Sequence, residues 1–302
     1  MSIQVNALTK IYGQQKAINN ISFSISKGEI VGFLGPNGAG KSTTMKIVTG
    51  YLLQDGGTAK VCGIDVKEKP VEVKKKIGYL PEANPLYYEM YVKEYLQFVA
   101  GVYEVKNRRS AINKIIELTG LSGEYKKKIG QLSKGYKQRV GLAATLVHDP
   151  EVLILDEPTS GLDPNQIVEI RNLIKEQGKN KTVLFSTHIL QEVQAICDRI
   201  IIIHNGELVA DDALSALQQS MQSNVVKVSF KEVLDMQAFR QLSSVTNITR
   251  ENEHAWKLKT DNPTEARKQL LELALKENLN IVSLQTEGSN LEEIFRTLTK
   301  ND

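Results

Sequence analysis

The segment Gly35-Pro36-Asn37-Gly38-Ala39-Gly40-Lys41-Ser42-Thr43 fits the pattern G-x-x-x-x-G-K-[ST] and constrains the fold more than any other stretch of the chain. Its glycines leave the backbone free to curl, so several N–H groups can converge on one anion. Lys41 adds a compact positive charge for outer phosphates, and the Ser42 hydroxyl is placed to ligate Mg²⁺. Glu29-Ile30-Val31-Gly32-Phe33-Leu34 reads as a buried strand entering the loop. Lys41-Ser42-Thr43-Thr44-Met45-Lys46-Ile47-Val48 reads as the helix leaving it, whose N-terminus adds partial positive charge. A strand, an anion-binding loop and a helix in that order belong to an α/β fold.

The 302 residues are enough for two domains, with 41% apolar and 24% charged side chains as in ordinary globular proteins. Net charge is +3; residues 1–224 carry 27 basic and 23 acidic side chains, and residues 225–302 carry 11 and 12. Neither part has the basic excess that phosphate-backbone binding needs, so no nucleic-acid partner is expected. Lys74-Lys75-Lys76 and Lys126-Lys127-Lys128 read as solvated faces, with a membrane-surface or partner role as the lesser alternative. Cys62 and Cys197 are far apart and lack metal-ligand spacing, which argues for a reducing compartment. The N-terminus lacks a signal-peptide pattern, and Ile200–Ile203 is too short an apolar run to span a bilayer.

Along the chain, Ile3, Val5, Ala7 and then Ile21, Phe23, Ile25 alternate with polar residues as half-buried strands do. Ile77–Leu80 is a short strand stopped by Pro81. A helical pattern runs from Tyr91 to about Thr119. Val152–Leu155 and Thr182–Phe185 are continuous apolar strands, each leading into a helix, as in a parallel sheet covered on both faces. Asn205-Gly206 between apolar stretches signals a hairpin. The polar stretch Gln218–Asn224 reads as a linker or a fraying helix end. Beyond it the expected order is strand 225–230, helix 236–242, strands 245–250 and 255–259, helix 264–277, strand 281–285 and a last helix 291–298. That β-α-β-β-α-β order resembles a split βαβ, ferredoxin-like sandwich.

Val152-Leu153-Ile154-Leu155-Asp156-Glu157 is an apolar strand ending in two carboxylates, where ligands of a parallel sheet belong. Asp156 is suited to hold Mg²⁺, and Glu157 to polarise an attacking water as general base. Gln131-Leu132-Ser133-Lys134-Gly135-Tyr136 precedes a helical run, so Ser133 and Gly135 begin a second helix end with anion donors. Two such ends on one chain serve one nucleotide only if two chains pack head to tail.

These residues resemble the ATP-binding subunits of ABC transporters, over about residues 2–215 and with every motif in order. The resemblance implies that Tyr12 stacks on adenine and that Gly35, Pro36, Asn37, Gly38, Ala39, Gly40, Lys41, Ser42 and Thr43 form Walker A. It also implies that Leu132–Tyr136 is the signature, with Ser133 and Gly135 binding phosphate, and that Val152–Glu157 is Walker B. Ser160-Gly161-Leu162-Asp163 corresponds to the D-loop and His188 to the switch histidine. Glu82 stands where the family usually has Gln, and is expected at the metal with Ser42 and Asp156. Lys134 and Tyr136 replace common Gly and Gln. Both departures, and the ending Leu291–Thr299, resemble the drug, antibiotic and polysaccharide exporter branch, and in particular the gliding-motility-associated ATPases.

The resemblance implies a P-loop NTPase core (ABC ATPase) at 1–215 with a helical subdomain at about 83–148, and the residue pattern after the linker gives an accessory α+β domain at 225–302. It implies ATP and Mg²⁺ as cofactors, Glu157 and His188 as catalytic residues, and hydrolysis that powers export. The expected partners are polytopic membrane permease subunits and, with ATP bound, a second copy in a homodimer; the expected location is cytoplasmic, on the inner face of the membrane. The aromatic segment Asn84–Tyr91 either seats a permease helix or packs locally. The rival class is a soluble ABC ATPase acting on the ribosome or nucleic acid. A single ATPase half, no heptad run and no basic excess argue against it.

Overall fold

The structure, a computed structural model, describes residues 1–216, 225–287 and 295. The chain divides into two compact units at Leu214/Ser215.

In the first unit, β1 (Ile3–Tyr12) pairs with β2 (Gln15–Ile25) and with β4 (Gly56–Val61), which pairs with the short β5 (Ile64–Asp65). The alternation at its start predicts β1 as far as Ala7. The strand runs on to Tyr12 because a bulge at Ala7, at φ 50°, resets the register.

A second sheet follows the order β10-β9-β3-β8-β7-β6, from β3 (Ile30–Leu34), β6 (Ile77–Leu80), β7 (Val152–Asp156), β8 (Thr182–Thr187), β9 (Arg199–His204) and β10 (Glu207–Ala213). All neighbours are parallel except the β9–β10 hairpin, which turns at Asn205 and Gly206, both at positive φ. Every residue of β3, β7 and β8 is buried, so the middles of these strands read as continuous apolar runs rather than alternating ones, with polar residues only at the ends of β7 and β8. Leu34 lies opposite Thr187, Asp156 opposite Ser186, and Leu80 opposite Leu155. This register brings the chain leaving β3, β8, β7 and β6 to a single edge.

Helix α1 (Lys41–Val48) leaves the loop after β3, and α2 (Pro70–Lys76) precedes β6. The expected helical stretch 91–119 is two helices, α3 (Val92–Val102) and α4 (Arg108–Leu118). Apolar periodicity continues through both, but Glu104 and Asn107 take left-handed backbone and end one helix before the next begins. Then come α5 (Lys134–Leu146), α6 (Pro164–Gly178) and α7 (Leu190–Ile196).

The second unit is an antiparallel sheet of order β12-β13-β11-β14, from β11 (Val225–Phe230), β12 (Val245–Arg250), β13 (Ala255–Thr260) and β14 (Ile281–Glu287). Helix α8 (Pro263–Lys276) buries Ala266, Leu270, Leu273 and Ala274 in a core with Val226, Val228, Phe230, Trp256 and Leu258. The order is that of a ferredoxin-like sandwich. One expectation fails: the helix read at 236–242 is a single 3-10 turn, Met236–Phe239. Within 236–242 only Phe239 and Leu242 are buried, and seven residues anchored at two points are too few to propagate a helix. The expected last helix, 291–298, lies outside the described residues except Phe295. Among the described residues no helix is long and apolar enough to cross a membrane.

Candidate functional site

At the shared strand edge, a cleft of about 230 Å³ is lined by Asn37, Gly38, Gly40, Lys41, Ser42, Thr43, Ala17, Glu82 and Glu157. Residues from β2, the loop after β3, the chain after β6 and the chain after β7 therefore meet around one space. The loop needs its glycines. Gly38 sits at φ 80° and Gly40 at φ 110°, and a Cβ on Gly40 would lie 2.6 Å from the Ala17 carbonyl oxygen. A Cβ on Gly35 would strike the Ile203 carbonyl oxygen. Gly35 and Ala39 are buried under the loop, whereas Pro36 is half-buried and Asn37 exposed. The first turn of α1 supplies N–H groups that have no partner within the helix.

Lys41 is buried at 6% exposure and donates to the carbonyls of Gly35 at 2.7 Å and Pro36 at 3.2 Å. Its Nζ also lies 3.6 Å from Glu157 Oε1. That pairing is ionic only: Oε1 is buried and has no hydrogen-bond partner. The other carboxylate oxygen, Oε2, lies 3.0 Å from His188 Nδ1. Two groups 31 positions apart are thus in contact, and the more exposed one, His188, stands at the open side.

Glu157 occupies left-handed backbone at φ 48°, a conformation that costs a non-glycine residue on the order of 1–3 kcal/mol. Its neighbours hold it there. The Glu157 N–H donates to Ser186 Oγ at 3.0 Å, and the Ser186 hydroxyl donates in turn to Asp156 Oδ1 at 2.5 Å. Ser186 has no place in the sequence-derived site. A hydroxyl interrupting the end of an otherwise apolar strand was the available signal for it.

Asp156 is 1% exposed and is not among the residues that line the cleft, while Glu82 lines it and is exposed. Ser42, Glu82 and Asp156 are hard oxygen donors, the set that suits Mg²⁺. Tyr12 is 51% exposed at the tip of the β1–β2 hairpin, outside the cleft lining, with Lys10 Nζ 5.5 Å from its ring centre. Ser133 and Gly135 do not line the cleft either. Ser133 is the N-cap of α5 and accepts from the Tyr136 N–H at 3.4 Å; Gly135 is buried, and a Cβ there would collide with the Gln166 side chain. One chain therefore gathers the phosphate loop, Glu82, Glu157 and His188, and leaves Tyr12, Ser133 and Gly135 elsewhere.

Comparison with known proteins gives the family. The profile of the family described as "ABC transporter" matches residues 18–160, and that of the "ATP-binding protein DrrA1-3-like, C-terminal domain" matches residues 213–299. The chain is 35% identical to the linearmycin resistance ATP-binding protein LnrL of Bacillus subtilis, over 98% of each. It is 39% identical to the bacitracin transport ATP-binding protein BcrA of Bacillus licheniformis, over 69% of each. Among solved structures, an ATP-binding subunit of an ABC transporter superposes with a TM-score of 0.67 at 30% identity, covering 73% of this chain and 93% of that one. A dimeric ATP-binding cassette in a post-hydrolysis state, bound to ADP and Pi, gives 0.65 at 25% identity, covering 70% and 98%.

Proposed function

The chain belongs to the ATP-binding subunits of ABC transporters, and from that premise we propose that it powers export through separate membrane permeases on the inner face of the membrane. It is an ATPase of the P-loop fold. The names of its relatives, linearmycin resistance and bacitracin transport, support an exporter of the drug or antibiotic class. A link to gliding motility has only the overall likeness of the sequence behind it. The observation that carries the reading is the cleft in which the phosphate loop, Glu82 and Glu157 meet.

In this reading the glycine loop wraps the β- and γ-phosphates, and Lys41 turns from the Gly35 and Pro36 carbonyls toward the phosphate oxygens. Ser42 and Asp156, with Glu82 at the rim, would hold Mg²⁺, which would supply charge neutralisation to the phosphates. Glu157 takes a proton from the attacking water at Oε1, the buried oxygen that has no hydrogen-bond partner. His188, touching Oε2, fixes the orientation of that carboxylate and faces the γ-phosphate. Tyr12 stacks on the base. Ser133 and Gly135 of a second copy close over the same nucleotide, since within one chain they do not line its cleft.

The exposed Tyr87, Tyr88 and Tyr91 form the permease seat. Tyr87 packs on Tyr95 and Phe98 with ring centres 6.0 and 5.9 Å apart, beside a cavity of about 430 Å³ lined by Tyr51, Tyr79, Pro85 and His148.

The decisive experiment is Glu157→Gln. This variant should bind ATP, lose about 10²–10⁴-fold in turnover as the general base is removed, and accumulate as a dimer with ATP–Mg²⁺ in size-exclusion chromatography with light scattering. A protein that stays monomeric at every concentration would end the head-to-tail model.

A further inference from the structure

Glu192 is 1% exposed, yet it is a carboxylate on a short helix that the sequence presents as an ordinary polar face. Its Oε1 accepts the Thr159 hydroxyl at 2.5 Å, and its Oε2 accepts the Thr187 hydroxyl at 2.7 Å. Arg171 on α6 supplies the opposite charge, 3.6 Å from Oε1. Thr187 Oγ1 also accepts the Ile189 N–H at 3.0 Å, so the chain around His188 is held on both sides.

The positions of these partners give the carboxylate its meaning. Thr159 lies two residues beyond Glu157, on the chain leaving β7. Thr187 lies one residue before His188, on the chain leaving β8. We propose that Glu192 is a positioning residue for ATP hydrolysis, one buried carboxylate that clamps these two segments together and sets the contact between Glu157 and His188. The inference rests on the roles given above to Glu157 and His188. It requires a carboxylate, because both hydroxyls donate. A glutamine at 192 offers one acceptor oxygen, so one of the two hydroxyls must turn round and seek another acceptor in a dry site.

The test is a double-mutant cycle on the full chain, read by single-turnover hydrolysis and by equilibrium ATP binding. Glu192→Gln should bind ATP almost as the parent does, while its hydrolysis rate falls about 10- to 100-fold through misplacement of the catalytic pair. In a His188→Ala background the same substitution should cost little more, because the contact it positions is already gone. Thr159→Val keeps the shape, removes one of the two donors and should also lower the rate with binding retained; it carries the test if Glu192→Gln does not fold. Equal losses from Glu192→Gln in both backgrounds would mean a general structural role and overturn the proposal. So would unchanged hydrolysis in the folded variant, or loss of ATP binding. If His188→Ala alone leaves hydrolysis intact, the role of His188 is wrong, and that single variant reveals it independently of Glu192.

Discussion

Lys41 shows how far a single residue is readable. Its pattern neighbours announce a phosphate ligand, and the structure puts its ammonium at 6% exposure between two loop carbonyls and the Glu157 carboxylate. Lys41→Ala removes a fixed charge from a site shielded from water. A hydrogen bond to a charged group contributes about 1.5–3 kcal/mol, so ATP affinity in equilibrium binding should fall by roughly tenfold or more; unchanged affinity would rule out this cleft. Asp156 and Glu157 were equally legible, because two carboxylates ending a wholly apolar strand have few explanations. Ser186 and Glu192 were not. A serine in a strand and a glutamate on a short helix are commonplace, and only the juxtaposition of β7, β8 and α7 turns them into partners of the site.

Elements were readable by type more than by extent. The parallel strands declared themselves because strands covered on both faces are mostly apolar along their length, with polar residues confined to their ends. The break between α3 and α4 hides because Glu104 can take left-handed backbone without any glycine to announce it. The junction of α5 and β6 carries a titrating device. His148 stacks on Tyr103 at 3.8 Å between ring centres and lies 3.0 Å from the Ile77 carbonyl through Nε2. Burial holds its imidazole below the ordinary value of 6.5, although the Ile77 carbonyl favours the charged form. A folded-state pKa below the unfolded one means that the unfolded chain binds the proton first. The contribution is therefore complete above about pH 6.5 and is lost as pH falls below it. Thermal melting should show a decline in Tm from about pH 6.5 to 5 that is shallower in His148→Gln, whatever the absolute stability of that variant. Parallel slopes would show that His148 does not report its burial.

At the scale of the molecule, the two units have separate apolar cores, one around Val31, Phe33, Ile154 and Leu184 and the other around Val228, Phe230 and Trp256. All residues lining the phosphate cleft belong to the first. A chain ending after Ser223 should therefore bind ATP with near-normal affinity, while nucleotide-driven dimerisation or coupling to permeases changes. Loss of binding in a truncation that circular dichroism shows to be folded would mean that the second unit helps build the site. The sequence by itself determined the P-loop, the apolar strand with its two carboxylates, the order of the motifs and the family they imply. These depend on neighbours along the chain, whose geometry is set by bond and helix periodicity. Tertiary structure alone decided that His188 touches Glu157, that Ser186 supports a left-handed Glu157, and that Glu192 bridges two loops. All but the Thr187–Glu192 contact join residues some 30 positions apart, and these depend on strand order and register in the sheet, which local chemistry does not encode.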